Sequence, residues 1–248
     1  EVAAESRLGD AGAYGDDDPG IGVAGWRWGM SEAVAQEFVS VVRLFEVFRR
    51  RQRDAEVRKL AADRAALPIA PFEATIVDTV RRNAVTIIAA DTGAGKSTQV
   101  VQFLLSAGFG KIACTQPRRI SAMALSRRVS YETQNEYGNA IAWQVRFHTT
   151  RDATTRLLFL TEGVLLRQLS RDPELRAYDV VVLDEVHERH VSQDLLLGVL
   201  KGLLARRPEL RLVLMSATIN PAAFSRFFGG APCITVPGRT FPVDVVYE

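Results

Sequence analysis

The stretch Ala90-Asp91-Thr92-Gly93-Ala94-Gly95-Lys96-Ser97-Thr98 constrains this chain more than any other part of it. It follows the apolar run Val85 to Ala90 and opens a segment of helical periodicity, so two glycines stand where a strand gives way to a helix. Such a junction can gather main-chain N–H groups around one point. Gly93 and Gly95 let the backbone approach an oxyanion closely, and the first helical turn adds donors that have no partner within the helix. Lys96 can reach β- and γ-phosphates and the Ser97 hydroxyl suits Mg²⁺, so Asp91 to Thr98 form a candidate nucleotide-binding loop. Loops of this pattern usually begin with Gly. Ala90 stands in that place here, which the geometry tolerates as long as the residue keeps a negative φ.

From Leu67-Pro68 onward, short β-branched runs alternate with helical stretches. Strands are expected at Val85 to Ala90, Lys111 to Thr115, Arg156 to Leu160, Asp179 to Leu183 and Leu212 to Met215. Helices are expected after Gly95, after Arg119, after Gly163 and around Gln193 to Ala205. Apolar strands separated by helices build an α/β fold: a mostly parallel sheet with helices on both faces, its ligands at the carboxyl ends of the strands. The run Val180 to Leu183 ends in Asp184-Glu185, which brings two acids to the same end of the sheet as the loop. Asp184 suits a Mg²⁺ ligand, through water, and Glu185 suits the group that orients and deprotonates a water attacking a γ-phosphate. His187 and His190 are three residues apart, not the four of a zinc-binding helix, and no third ligand accompanies them, so zinc is not expected.

Residues 1–30 are rich in Gly, Asp and Ala without a sustained apolar period and read as disordered. From Ser31, a candidate N-cap, Val34, Phe38, Val41, Phe45 and Phe48 recur at alternating four- and three-residue steps, which predicts a long amphipathic helix over 31–66. Its Arg49-Arg50-Arg51 and Arg53 read as a solvated basic face, with nucleic-acid contact as the alternative. With 31 basic and 29 acidic residues the formal charge is only +2, so nucleic-acid binding would have to come from local clusters. Two cysteines are too few for a disulfide framework, and Cys114 lies in an apolar run that predicts a buried thiol. No apolar run reaches the roughly 20 residues of a membrane span, and the acidic amino end is unlike a signal peptide; the expectation is a nuclear or cytoplasmic protein that is not secreted. A start at Glu1 and a stop within the strand-like run Phe241 to Glu248 read as a piece of something longer.

Asp184-Glu185-Val186-His187-Glu188-Arg189 resembles the motif after which DEAH-box helicases are named, with Val186 where most members carry Ala. Thr115-Gln116-Pro117-Arg118-Arg119 resembles that family's motif Ia, Thr161-Glu162-Gly163 its motif Ib and Ser216-Ala217-Thr218 its motif III, all in family order. The resemblance covers roughly residues 67–248 and implies the first RecA-like domain of a P-loop NTPase acting on RNA. It implies that Lys96, Asp184 and Glu185 are catalytic, and that Ser97 and Asp184 hold Mg²⁺. ATP is the implied nucleotide, with other nucleoside triphosphates as alternatives.

The resemblance further implies that Arg128 stacks on the nucleotide base and that Pro117, Arg118, Arg119, Thr161, Glu162 and Gly163 hold the backbone of single-stranded RNA. Val145-Arg146-Phe147 is similar to a family segment beside the RNA path, although Ala142-Trp143 replaces the usual Gly-Tyr; Arg146 is a candidate RNA contact, with a strand-edge salt bridge as the alternative. His187, Ser216, Ala217 and Thr218 would couple hydrolysis to domain movement. The second RecA-like domain, which supplies arginine fingers, has no counterpart before Glu248, so this chain alone is expected to bind nucleotide weakly and hydrolyse little. For the parent protein the resemblance implies a 3′-to-5′ RNA helicase or ribonucleoprotein remodeller. A nucleotide-gated RNA clamp or scaffold with a slow ATPase is the alternative, its 31–66 helix docking protein partners or activators, and a DNA substrate is a third reading.

Overall fold

The computed structural model describes residues 31–133, 140–217 and 221–238. The disorder expected of 1–30, the coupling residue Thr218 and the strand-like run Phe241 to Glu248 lie outside the described residues. The chain divides into two units, Glu1–Glu56 and Val57–Glu248. Helix α1, Glu32–Ala65, matches the expected 31–66 to within a residue at each end; Val34, Phe38, Val41, Phe45 and Phe48 are exposed along it, and Leu60 is its one buried residue.

In the second unit a 3₁₀ turn, Ala70–Phe72, leads into α2, Glu73–Arg82. Then follow β1 Val85–Ala90, α3 Lys96–Ser106, β2 Ile112–Gln116, α4 Arg119–Glu132, β3 Ile141–Val145 and β4 His148–Thr149. The chain continues through β5 Leu157–Thr161, α5 Glu162–Arg171, β6 Val180–Leu183, a 3₁₀ turn Val186–Glu188, α6 Val191–Leu204, β7 Arg211–Ser216, α7 Pro221–Phe227 and β8 Cys233–Val236. These eight strands form one sheet in the order β4-β3-β5-β2-β6-β7-β1-β8, parallel throughout except for the β3–β4 hairpin. None of the described helices is long and apolar enough to cross a membrane.

Period-two side-chain alternation explains why the central strands are apolar throughout. Ile88, Val182, Val213 and Met215 face one core with Val100, Leu104 and Phe159, under α2, α3 and α4. Their neighbours Ile87, Val181, Leu212 and Leu214 face a second core with Leu165, Leu196 and Leu200 of α5 and α6. Phe159 is wholly buried, so truncation to Ala is worth about 3–5 kcal/mol of stability.

Three strands lie beyond the five that the sequence predicts, and all are peripheral. β8 alternates exposed and buried residues, as an edge strand does, and β3 interrupts its apolar residues with Gln144. β2, β5 and β7 also run on to Gln116, Thr161 and Ser216, polar residues at carboxyl ends that apolar-run reasoning cuts off. Topology then places the chemistry. β1 passes through α3 to β2, three places across the sheet, and β6 and β7 later fill the gap. The carboxyl ends of β2, β6, β7 and β1 therefore stand side by side, with Ala89 in register with Ser216, Leu183 with Leu214, and Thr115 with Leu183.

Candidate active site

The phosphate loop occupies the bend between β1 and α3. Gly93 and Gly95 have φ of +82° and +93°, values that L-residues avoid, whereas Ala90 ends the strand without a positive φ, so Ala is tolerated there. A Cβ on Gly93 would meet nothing within 4 Å. On Gly95 it would come within 2.9 Å of Leu67 Cδ1 and 3.3 Å of Ile69 Cγ2. The segment ahead of the sheet thus braces the loop, and the Ile69 N–H donates to the Ala94 carbonyl at 3.2 Å. On the other side, the Gly238 N–H donates to Asp91 Oδ2 at 3.0 Å.

Lys96 is buried and its Nζ lies 3.3 Å from Glu185 Oε1. Asp184 is wholly buried at the end of β6, where the Ser97 hydroxyl bonds its carboxylate, Gln116 Nε2 donates to Oδ2 at 2.7 Å, and the Glu185 N–H donates to Oδ1 at 2.9 Å. Burial pushes the Asp184 carboxyl above its ordinary range; the Ser97 and Gln116 hydrogen bonds oppose the shift without cancelling it. Its carbonyl accepts from Gln193 Nε2 at 2.9 Å, so both ends of the residue are fixed.

Glu185 itself adopts the left-handed region, φ +55° and ψ +40°, a strained conformation for a non-glycine that turns its carboxylate toward Lys96. Its Oε2 is buried and receives no hydrogen bond among the described residues. His187 Nδ1 is 3.3 Å from that oxygen and 3.2 Å from the Ala217 amide nitrogen. Accepting from the Ala217 N–H requires an unprotonated Nδ1, and donating to Glu185 requires a protonated one, so the ring serves one neighbour at a time. His187, Ser216 and Ala217 are therefore brought together beside Glu185. His190 turns away, its Nε2 2.7 Å from Glu188 Oε2.

The predicted RNA residues collect on the other half of the same edge, where β2, β5 and β3 end. Gln116 is in register with Thr161, and Gln144 with Leu160. Arg118 and Arg119 are exposed at the start of α4, Pro117 is half-buried beside them, and Gly163 is exposed at the start of α5. Arg146 sits on the β3–β4 turn with its guanidinium 4.8 Å from the centre of the exposed Phe147 ring, an arrangement other than the strand-edge salt bridge. Glu162 differs from its neighbours: its side chain is buried and accepts a bond from the Ser192 hydroxyl, so it faces inward. A carboxylate buried in this way leaves only the backbone of Glu162 for an outside partner. Arg128 does not join the loop directly; its Nε bonds Glu132 Oε1 at 2.6 Å.

Sequence reasoning passed over Gln116, Gln193 and Glu132, which support the site without touching the loop. Only Gln116 carried a usable signal, a polar residue at the end of a buried strand. A groove of about 560 Å³ between α2 and the carboxyl end of α3 contains none of the loop residues, nor Asp184 or Glu185. Converging donors, not cavity size, mark the site.

The loop cradle, the buried cation and the two carboxylates fit a nucleoside triphosphate with Mg²⁺. Burial raises the Asp184 carboxyl, a shift that a cation beside it would offset, and the Glu185 carboxylate stands beside Lys96. Residues 70–226, more than half of the chain, match the DEAD/DEAH box helicase family. Probable ATP-dependent RNA helicase DHX34 is 50% identical in the Homo sapiens protein, over 88% of this chain, and 48% in the Mus musculus protein, over 89%. DExH-box ATP-dependent RNA helicase DExH1 of Arabidopsis thaliana is 44% identical over 77% of the chain. The matched region spans 19% of each DHX34 protein and 20% of DExH1, so this chain spans about a fifth of the length of these relatives. A strand-borne phosphate loop, a DEVH quartet with its acids turned into it and a family match across most of the sheet together make this chain a member of the DEAD/DEAH box helicase family.

Proposed function

We propose that this chain is the nucleotide-binding half of an RNA-stimulated ATPase, and that the parent protein uses hydrolysis to move along or remodel RNA. The observation that carries this reading is the convergence of buried Lys96, Asp184 and Glu185 on the phosphate loop. The loop N–H groups and Lys96 would hold the β- and γ-phosphates, while Ser97 and Asp184 would hold Mg²⁺, directly or through water. When bound, the ion neutralises developing charge on the phosphate oxygens. Glu185 orients a water and takes its proton through a carboxylate flanked by Lys96 and His187. Gln116 and Gln193 keep Asp184 in place, and His187 reports the position of Glu185 to the Ala217 amide.

Arg128 offers a planar cation to the nucleotide base, and Arg118, Arg119, Arg146, the Thr161 hydroxyl and the N–H groups of Glu162 and Gly163 offer sequence-blind contacts to an RNA backbone. The relatives' names include ATP and RNA, which supports the two ligand classes. Transition-state arginines would come from a second RecA-like domain of the parent chain. Phosphate release by the full-length protein, stimulated by single-stranded RNA or by DNA of equal length, tests the reading. Strong stimulation by RNA that disappears in Arg118→Ala/Arg119→Ala supports it. No stimulation by either nucleic acid overturns it.

A further inference from the structure

Glu132 is a buried carboxylate that none of the chemistry above uses. It closes α4, and only about 6% of its surface is exposed. Both oxygens are taken: Oε2 accepts from Gln99 Nε2 at 2.8 Å and from Gln102 Nε2 at 2.7 Å, and Oε1 accepts from Arg128 Nε at 2.6 Å. Gln99 is oriented in turn, because Arg64 Nε donates to its Oε1 at 3.1 Å and so directs the amide nitrogen toward Glu132. Burial alone would raise the carboxyl's pKa; the bonds from Gln102, Arg128 and Gln99 outweigh it and hold the group below its usual range, ionised.

An ion pair between residues four apart on a helix needs neither burial nor two glutamines, and exposed pairs of this kind contribute little. Burial here serves geometry. Gln99 and Gln102 lie on α3, the helix whose first turn holds Lys96 and Ser97. The network therefore ties Arg128 to the same rigid element that carries the phosphate loop. Glu132 holds the guanidinium of Arg128 through Nε, and the Arg128 side chain remains more than half exposed.

We infer that Glu132 is a positioning residue for the nucleotide base: with Gln99 and Gln102 it fixes the Arg128 guanidinium at a set distance from the phosphate loop, so that base and phosphates are read by one rigid unit. The inference rests on the proposed role of Arg128 as the base-stacking residue. A guanidinium oriented before binding loses less rotamer freedom when it stacks.

Affinities of the full-length protein for ATP and for ribose 5′-triphosphate, which has the same phosphates but no base, test this. The dissociation constant for ribose 5′-triphosphate divided by that for ATP isolates the contribution of the base. Arg128→Ala should lower that ratio by about tenfold, the scale of a cation–π contact of ~1.4 kcal/mol. Glu132→Gln, which keeps the shape and removes the charge, should lower it by about three- to fivefold while affinity for the base-free triphosphate stays put. Adding Glu132→Gln to Arg128→Ala should change the ratio no further. Gln102→Leu should act in the same direction more weakly, and it is the readout if Glu132→Gln does not fold. If Arg128→Ala lowers the ratio but Glu132→Gln and Gln102→Leu weaken both ligands equally, or neither, Glu132 is a structural residue and the inference falls. If Arg128→Ala leaves the ratio unchanged, the base-stacking reading falls, and the inference with it.

Discussion

Replacing Gly95 with Ala separates two costs that the structure makes distinguishable. The first is conformational: at φ +93° an L-residue costs about 1–2 kcal/mol relative to glycine. Gly93, at φ +82° and with nothing within 4 Å of its would-be Cβ, bears this cost alone. Gly95 bears a second one. Its new methyl would lie 2.9 Å from Leu67 Cδ1, 3.3 Å from Ile69 Cγ2 and 3.4 Å from Gln99 Cγ. Leu67 is partly exposed and can turn aside. Ile69 is fully buried, and its N–H is tied to the Ala94 carbonyl, so the contact there must be relieved by moving the loop. Overpacking of this kind adds about 1–2 kcal/mol, for a total of about 2–4 kcal/mol against 1–2 for Gly93→Ala. In a domain of this size each kcal/mol moves the melting temperature by about 2–4 °C, so Gly95→Ala should melt about 2–8 °C below Gly93→Ala in thermal unfolding followed by circular dichroism. Because Leu67 can turn aside, Leu67→Ala in the Gly95→Ala background should restore little of the lost stability. Equal melting points for the two glycine variants would refute the idea that the segment ahead of the sheet braces the loop.

Gln116→Leu removes the 2.7 Å donor to Asp184 Oδ2 and leaves a carboxylate already raised by burial with less to hold its charge. Mg²⁺ binding requires the ionised form, so the acidic limb of the pH–kcat/KM profile should move to higher pH; an unmoved limb would separate Gln116 from Asp184. Gly238→Ala would drive a Cβ to within 2.9 Å of Asp91 Cγ and break the Gly238–Asp91 bond, so nucleotide affinity should fall several-fold, as measured by titration of a fluorescent nucleotide. Unchanged affinity would show that Asp91 needs no such support.

The parts of the site legible in the sequence were those with a local signature. Two glycines before Lys96-Ser97 mark a strand-to-helix bend wherever they occur, and four apolar residues before Asp184-Glu185 place the acids at a strand's carboxyl end. Central strands were visible because burial on both faces makes them apolar throughout. The peripheral strands β3, β4 and β8, of which β4 and β8 are the edges, lack that run and leave no such signal. Long-range partners left no trace in local pattern: Gln116 and Asp184 are 68 residues apart, and Asp91 and Gly238 are 147 apart. The strained Glu185 backbone was equally hidden, since a glutamate at positive φ follows from tertiary constraint and not from propensity. Glu162 shows the reverse difficulty. Its motif sits where RNA contacts are expected, yet packing turns its side chain toward Ser192.

The central claim is that Glu185 activates water on a nucleotide held by separate groups. Steady-state phosphate release by the full-length protein with RNA, measured for wild type and Glu185→Gln alongside nucleotide affinity, tests it most directly. The account predicts a fall in kcat of about 10²- to 10⁴-fold, the usual contribution of a general base, with affinity kept within about threefold. A kcat within a few-fold of wild type, or a loss explained wholly by lost binding, would contradict it.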